Sequence, residues 1–253
     1  MNKAGTVVFL TDFGLGVYAG VMKGVVLSLC PEARVVDLTH NVTPQNIREG
    51  AWLLLTNYEY FPNGSVFVAV VDPGVGTERK ALAVETRNYY FVGPDNGLLY
   101  PAVKKAGVVN IVELEVPPAA SPTFHGRDVF APAAARLAAG TPLSLLGRPG
   151  SPSVALDFHL TGREGEVITI DRFGNVVTNL PPLGGRQSYR VNIARRTEAY
   201  FNSEVPFFRT YGEAPADTLC LVTGSAGTLE LSVKNKSAAA LLRAQVGDVV
   251  SAT

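Results

Sequence analysis

The sequence predicts a two-part α/β protein. An N-terminal layered α/β domain with a mostly parallel sheet precedes a smaller C-terminal antiparallel, barrel-like β-domain. Three observations carry this reading. Short β-branched runs alternate with helix-period stretches through the first half. The breaker-rich residues 147–152 (GRPGSP) interrupt that alternation and read as a linker. Beyond them the apolar period drops to two. The boundary therefore falls there, giving domains at 1–150 and 151–253.

Residues 6–10 (TVVFL) form a strand. In the following helix Val17, Val21, Val25 and Leu29 recur every four residues, with Met22 and Val26 beside them, and Pro31 closes it. Residues 34–38 (RVVDL) are a second strand. A segment led by Pro44 opens a helix over 47–58, with Ala51, Leu54, Leu55 and Tyr58 on its apolar side. Residues 65–71 (SVFVAVV) are apolar on both faces, as a central parallel strand requires. This order implies right-handed crossovers. Strands at 81–86 and 89–92 flank a turn at Arg87-Asn88. Pro94-Asp95-Asn96-Gly97 turns into a short helix, and 108–114 is another strand. Asp128 is placed as the cap of an alanine-rich helix over 131–138. Later strands are expected at 166–170, 176–180, 188–193, 218–222, 228–233 and 248–251, with one helical stretch near 237–245.

Composition narrows the function. Hydrophobic residues are 47% and charged residues 17%, with 22 basic against 22 acidic side chains. Such a chain is not disordered, and it lacks the basic excess of a nucleic-acid binder. No apolar run approaches the ~20 residues of a membrane span, and the first residues lack a leader's apolar core. Neither nucleic acid nor membrane is expected as a partner. Cys30 and Cys220 lie far apart in apolar surroundings and read as buried, reduced thiols of a cytoplasmic protein. His40, His125 and His159 show no metal-ligand spacing, so no metal is expected. Trp52 is assigned to the core, His40 to a structural role, and His159 has no evident partner.

Candidate chemistry lies at strand ends, where open α/β sheets bind ligands. Asp12 follows the first strand and Asp72 the third, each with glycine two residues on. The loop Asp72-Pro73-Gly74-Val75-Gly76-Thr77-Glu78-Arg79 puts a carboxylate and a guanidinium together. A plain salt bridge and an ionised pair around a small polar ligand fit it equally. His125 stands between Phe124 and Gly126, just before a helix start. In the β-domain, Asp171-Arg172-Phe173-Gly174-Asn175 and Thr223-Gly224-Ser225-Ala226-Gly227 each read as a turn on their own.

Taken together and in order, these segments resemble the S-adenosylmethionine (SAM) hydroxide adenosyltransferases, or SAM hydrolases, whose superfamily includes fluorinases and chlorinases. Thr11-Asp12-Phe13-Gly14, Val35-Val36-Asp37-Leu38-Thr39-His40, the loop at 72–79, Gly93-Pro94-Asp95-Asn96-Gly97, Phe124-His125-Gly126-Arg127-Asp128 and residues 171–175 carry the resemblance. It implies a homotrimer with SAM bound between the N-terminal domain of one subunit and the C-terminal domain of the next. It implies a catalytic trio of Asp72, Arg79 and His125, and it places Asp12 on the ribose hydroxyls. Asp171 and Ser225 fall at methionine contacts, and Phe173 and Asn175 near the nucleoside. The strand edge from Val233 to Asn235 falls where adenine is read.

The implied reaction is displacement at C5′ of SAM by water or hydroxide, giving adenosine and L-methionine. SAM is then the substrate, and no cofactor is needed. The sulfonium already makes methionine a good leaving group, so the demand falls on the nucleophile. A halide adenosyltransferase is the alternative within the superfamily. The halogenating members carry tyrosine at the position of Asp72 and a different residue at His125. The fluorinase also has tryptophan at Gln45, serine at Gly126 and a long insertion after the Asp72 loop. A third reading, a SAM or adenosine binding module without turnover, has no need of the intact trio. A methyltransferase is disfavoured because no GxGxG-like loop follows the first strand.

Overall fold

Each β-branched run of the first half becomes a strand in the computed structural model, which describes residues 5–196 and 198–253. The chain divides into two units, one ending at Asp157 and the other running Phe158–Thr253. The first holds strands β1 (Thr6–Thr11), β2 (Arg34–Thr39), β3 (Val66–Val70), β4 (Ala81–Thr86), β5 (Tyr90–Pro94), β6 (Val108–Leu114) and β7 (Gly147–Pro149). They form one sheet in the order β2-β1-β3-β5-β4-β6-β7. The block β2-β1-β3-β5 is parallel, and β4, β6 and β7 each join antiparallel. Five of the seven strands (β1, β2, β3, β5 and β6) therefore point the same way.

Helices α1 (Val17–Leu29), α2 (Ile47–Asn57), α3 (Tyr100–Ala106) and α4 (Ala131–Ala138) cover both faces of this sheet. α1 and α4 pack together over the face carrying Val7, Phe9, Val66 and Val68. α2 and α3 take the other face, where Gly50 lies against Leu10, Val71 and Leu98. Burial on both faces explains why β3 reads as an unbroken apolar run.

Four local expectations need correction. Of the α1 repeat Val17–Val21–Val25–Leu29 only Val25 packs against the core, and the neighbouring Met22 and Val26 form the inward face. The buried residues are Ala19, Met22 and Val26, while Val17 is 74% and Leu29 56% exposed. α1 is apolar on every side, so periodicity alone could not pick the inward face. Asp128 does not cap α4. A π-helical turn, Gly126–Phe130, precedes that helix, so the chain is already helical where a cap would stand. The Asp128 carboxylate instead accepts from the Ser121 N–H (2.8 Å) and from Arg127. Residues 147–149 are not linker but β7, paired with β6. His159 is not partnerless, since its Nε2 lies 2.9 Å from Glu164 and its N–H donates to Glu166.

The second unit contains β8 (Glu164–Ile170), β9 (Val176–Thr178), β10 (Ser188–Arg195), β11 (Glu198–Pro206), β12 (Leu219–Thr223), β13 (Leu229–Val233) and β14 (Val249–Ala252). All pairs are antiparallel, in the order β11-β10-β14-β8-β9-β13-β12. A bridge between Phe207 and Leu221 draws the two ends together into a nearly closed barrel. One short helix, α5 (Ala238–Leu242), is capped by Ser237, whose hydroxyl accepts the Ala240 N–H. β11 was not among the expected strands, because its sequence EAYFNSEVP is polar and mostly exposed. Among the described residues no helix is long and apolar enough to cross a membrane. Cys30 and Cys220 are free and buried, and Trp52 is buried in the core.

Candidate functional site

β1 connects to β2 through α1 on one face, and β2 connects to β3 through α2 on the other. The connections part at the carboxyl ends of β1 and β3, where a crevice must open. A cleft of about 500 Å³ lies there, lined by Asp12, Phe13, Tyr18, Gln45, Asp72 and His125 among others. That volume is in the range of small-molecule sites. A larger groove of about 670 Å³ on the second unit is lined by none of the sequence-predicted residues. Chemistry rather than size therefore picks the cleft.

Asp72 sits two residues past β3, and the glycine-rich loop brings Arg79 back onto it. Arg79 Nε lies 2.9 and 3.0 Å from the two carboxylate oxygens, and Nη2 also donates to Oδ2. The pair is nearly sealed from solvent, with side chains 4% and 9% exposed. Arg79 Nη2 continues to His125 Nδ1 at 3.1 Å, and Nη1 donates to the Lys80 carbonyl. The guanidinium also stands over the Phe130 ring, 5.2 Å from its centroid. The loop reaches His125 because Gly76, at φ +78°, lets it pass against the segment preceding that histidine. A Cβ at Gly76 would lie 2.3 Å from the Pro122 carbonyl oxygen.

This network fixes the histidine's protonation. A guanidinium only donates, so Nδ1 must accept and the neutral ring carries its proton on Nε2. The imidazole stays neutral because its pKa is held below 6.5, first by burial and then by the Arg79 charge. Asp72 and Asp128 oppose this with smaller effects. The result is a carboxylate that can only accept and an imidazole that presents one donor.

Asp12 follows β1 on the same cleft. The Gln45 N–H, at φ +64°, donates to its Oδ2 at 2.8 Å. The turn carrying Asp12 is tied by His40. Thr11 Oγ1 accepts the Phe13 N–H (3.2 Å) and meets His40 Nδ1 (2.8 Å), while the Gly14 N–H donates to the His40 carbonyl. His40 Nε2 lies 3.1 Å from Asp37, whose other oxygen takes Lys23. Hydroxyl, imidazole and carboxylate stand in the order of a hydrolase triad but with the two ring nitrogens exchanged. Thr11, however, has no solvent exposure, so it supports the Asp12 turn and cannot attack a substrate. Phe13, Tyr18 and Phe124 meet edge to face at 5.3–6.1 Å and form an aromatic wall.

The remaining sequence-predicted residues lie on turns of the second unit. The Asp171 carboxylate accepts from the N–H groups of Phe173 (2.8 Å) and Asn175 (2.9 Å) and from Asn175 Nδ2 (2.8 Å). Asn175 is buried, and Phe173 is exposed with Arg172 stacked over its ring. Ser225 is exposed on the turn joining β12 and β13. Val233 is buried at the end of β13, and Asn235 is exposed at φ +60° in the turn beyond. Sequence reasoning missed Tyr18 and Phe130; it flagged Gln45 only as a departure from the fluorinase, and the structural role it gave His40 is that of tying the Asp12 turn. Among the described residues no three His, Cys, Asp or Glu side chains group as a metal site.

Residues 7–147 match the SAM hydroxide adenosyltransferase N-terminal domain, and residues 165–251 the SAM hydroxide adenosyltransferase C-terminal domain. The chain is similar to the (R)-S-adenosyl-L-methionine hydrolase of Thermus thermophilus, 44% identical over 92% of this chain and 93% of that one. It is 40% identical to the (R)-S-adenosyl-L-methionine hydrolase of Salinispora arenicola, over 97% and 96% of the two chains. A crystal structure of an uncharacterized conserved protein from Thermotoga maritima superimposes with a TM-score of 0.88 at 35% identity, covering 98% of this chain and all of that one. A fluorinase from an Actinoplanes species is more distant, 26% identical over 76% of this chain and 78% of its own.

Proposed function

The chain belongs to the SAM hydroxide adenosyltransferase family, and we propose that it hydrolyses S-adenosyl-L-methionine at C5′ to adenosine and L-methionine. The observation that carries this reading is the buried Asp72–Arg79–His125 network on a cleft that also holds Asp12. Water oxygen bonds to C5′, the C5′–S bond breaks, and its electron pair returns to sulfur as a neutral thioether. One proton leaves the water. Asp72 is the acceptor for it, because His125 Nδ1 is already occupied by Arg79. A carboxylate suffices, since the water becomes strongly acidic only as the C–O bond forms. His125 holds oxygen through its remaining donor, and Arg79 fixes the carboxylate in place. In-line placement of the water opposite sulfur supplies much of the remaining advantage.

A halide is a poor nucleophile for this site. At 4 Å the Asp72 carboxylate by itself would repel it by about 4 kcal/mol at an effective dielectric of 20, an effect that the paired Arg79 offsets in part. The family resemblance further assigns Asp171 and Ser225 to the methionine part, Phe173 and Asn175 to the nucleoside, and Val233 and Asn235 to adenine. Asp12 takes the ribose hydroxyls. The reaction needs no cofactor. We read the protein as a cytoplasmic homotrimer, and the outward apolar face of α1 supports self-association.

The test is incubation of the purified protein with SAM in ¹⁸O-labelled water, with and without chloride, followed by mass spectrometry. Adenosine labelled at its 5′ oxygen is expected. A 5′-chloro nucleoside, or intact SAM that nevertheless binds, would overturn the assignment.

A further inference from the structure

The Gly93–Gly97 motif lines no part of the mechanism above, yet it touches β3 and the Val71 that links β3 to Asp72. β5 pairs with β3 only as far as Val68–Val92. Pro94, two residues on, has no N–H with which to continue the ladder. The last residues of β3 therefore lose their β5 donors just before the catalytic carboxylate. Asn96 supplies one, with its Nδ2 donating to the Val71 carbonyl at 2.8 Å. Its Oδ1 accepts the Leu98 N–H at 3.1 Å, so the amide is held at both ends.

The turn is close enough because residue 93 is glycine; a Cβ there would lie 2.4 Å from the Ala69 carbonyl oxygen. Its far side is anchored by the buried Asp95. That carboxylate accepts the Ser153 N–H at 2.8 Å, the Ser153 hydroxyl and the Val154 N–H. Asn96 is thus a strut between a fixed turn and the Val71–Asp72 peptide. That peptide is planar, so holding the Val71 carbonyl also sets where the Asp72 Cα and side chain begin.

We propose that Asn96 is a positioning residue for Asp72, acting on the chemical step and not on substrate affinity; this rests on the hydrolase reading given above. Asn96→Asp keeps the acceptor for Leu98 and replaces the donor to Val71 by a negative charge. Expected are a kcat lower by about one to two orders of magnitude, as for a catalytic group displaced by about an ångström, and a KM for SAM within about threefold of wild type. The introduced carboxyl regains a donor when protonated, so the variant-to-wild-type ratio of kcat should climb as pH falls toward the carboxylate range. Asn96→Ala removes the donor without adding charge and should lower kcat at every pH.

A variant with wild-type kcat and only a lower Tm would make Asn96 structural and overturn the proposal, as would a raised KM at unchanged kcat. If the wild-type chain itself turns over no SAM, the hydrolase reading fails, and a second readout decides the proposal. The His125 ring titration followed by nuclear magnetic resonance in Asn96→Ala should move, because the Asp72 carboxylate is one of the charges acting on that ring. An unchanged titration would overturn it.

Discussion

Replacing Asp72 by asparagine separates what the buried pair does for folding from what it does for chemistry. The substitution keeps the shape and leaves the Arg79 guanidinium, only 9% exposed, without its counter-ion. Removing one member of a buried pair costs about 3–5 kcal/mol. Solvent screening does not reduce this, because both side chains are sealed. For a chain of this size that is a fall in Tm of about 6–20 °C, read by calorimetry. Turnover should fall by about 10²–10⁴-fold, the range of a lost proton acceptor, with SAM affinity by isothermal titration near wild type. The double variant Asp72→Leu/Arg79→Met removes both charges. It should regain most of the lost stability, yet no activity. Asp72→Asn with wild-type turnover would refute the assigned role. A double variant no more stable than the single would refute the stranded charge as the cause of the stability loss.

Three further outcomes follow from the geometry. His125 works neutral and its pKa lies below 6.5, so kcat/KM should be flat through neutrality and fall only well below pH 6.5. Stability should decline sooner, from about pH 6.5 down to the lower folded pKa, because the unfolded chain takes up the proton first as pH drops; a pH-rate profile centred above 6.5 would contradict this. Gly76→Ala forces a non-glycine residue to φ +78° and a Cβ to 2.3 Å from the Pro122 carbonyl. The conformational cost alone is about 1–2 kcal/mol, so calorimetry should show a lower Tm and kinetics a lower kcat; a neutral substitution would mean the two loops do not meet. His40→Ala removes the side-chain bond to Thr11 while the backbone bond from Gly14 stays, and it should weaken adenosine binding about 2–12-fold, the worth of one hydrogen bond of 0.5–1.5 kcal/mol. Unchanged binding by titration calorimetry would show that the tie does not orient Asp12.

Much of the fold was legible because its signals were local. The bounds of α1, β4 and β6 were expected where they occur, since β-branched runs and helix periods announce themselves without tertiary help. The inward face of α1 was not legible, because Val17 and Met22 are equally apolar and only the sheet selects between them. β11 was hidden because an edge strand that buries little carries no alternation to read. At the site, the residues of the 72–79 loop and His125 stood out one by one. Their grouping came from the family resemblance and not from spacing, because Arg79 and His125 lie 46 residues apart and meet only when Gly76 passes Pro122. Asn96 was visible only as part of a turn. Its work is done by a side-chain amide across to β3, and no spacing rule in a sequence describes that.

The donor pattern of the Asp72–Arg79–His125 network also sets terms for ligands that would block this cleft. Arg79 spends its donors inward, on Asp72, His125 and the Lys80 carbonyl. Between Asp72 and His125, what a guest meets is an acceptor on Asp72 and a single imidazole N–H. A hydroxyl satisfies both at once, giving a hydrogen to one and a lone pair to the other. An ammonium answers only the carboxylate, and a nitrile or halogen answers only the imidazole. An inhibitor scaffold built on a nucleoside should therefore end in an alcohol where C5′ carries its leaving group. Methylating that oxygen should cost more affinity than its added bulk explains.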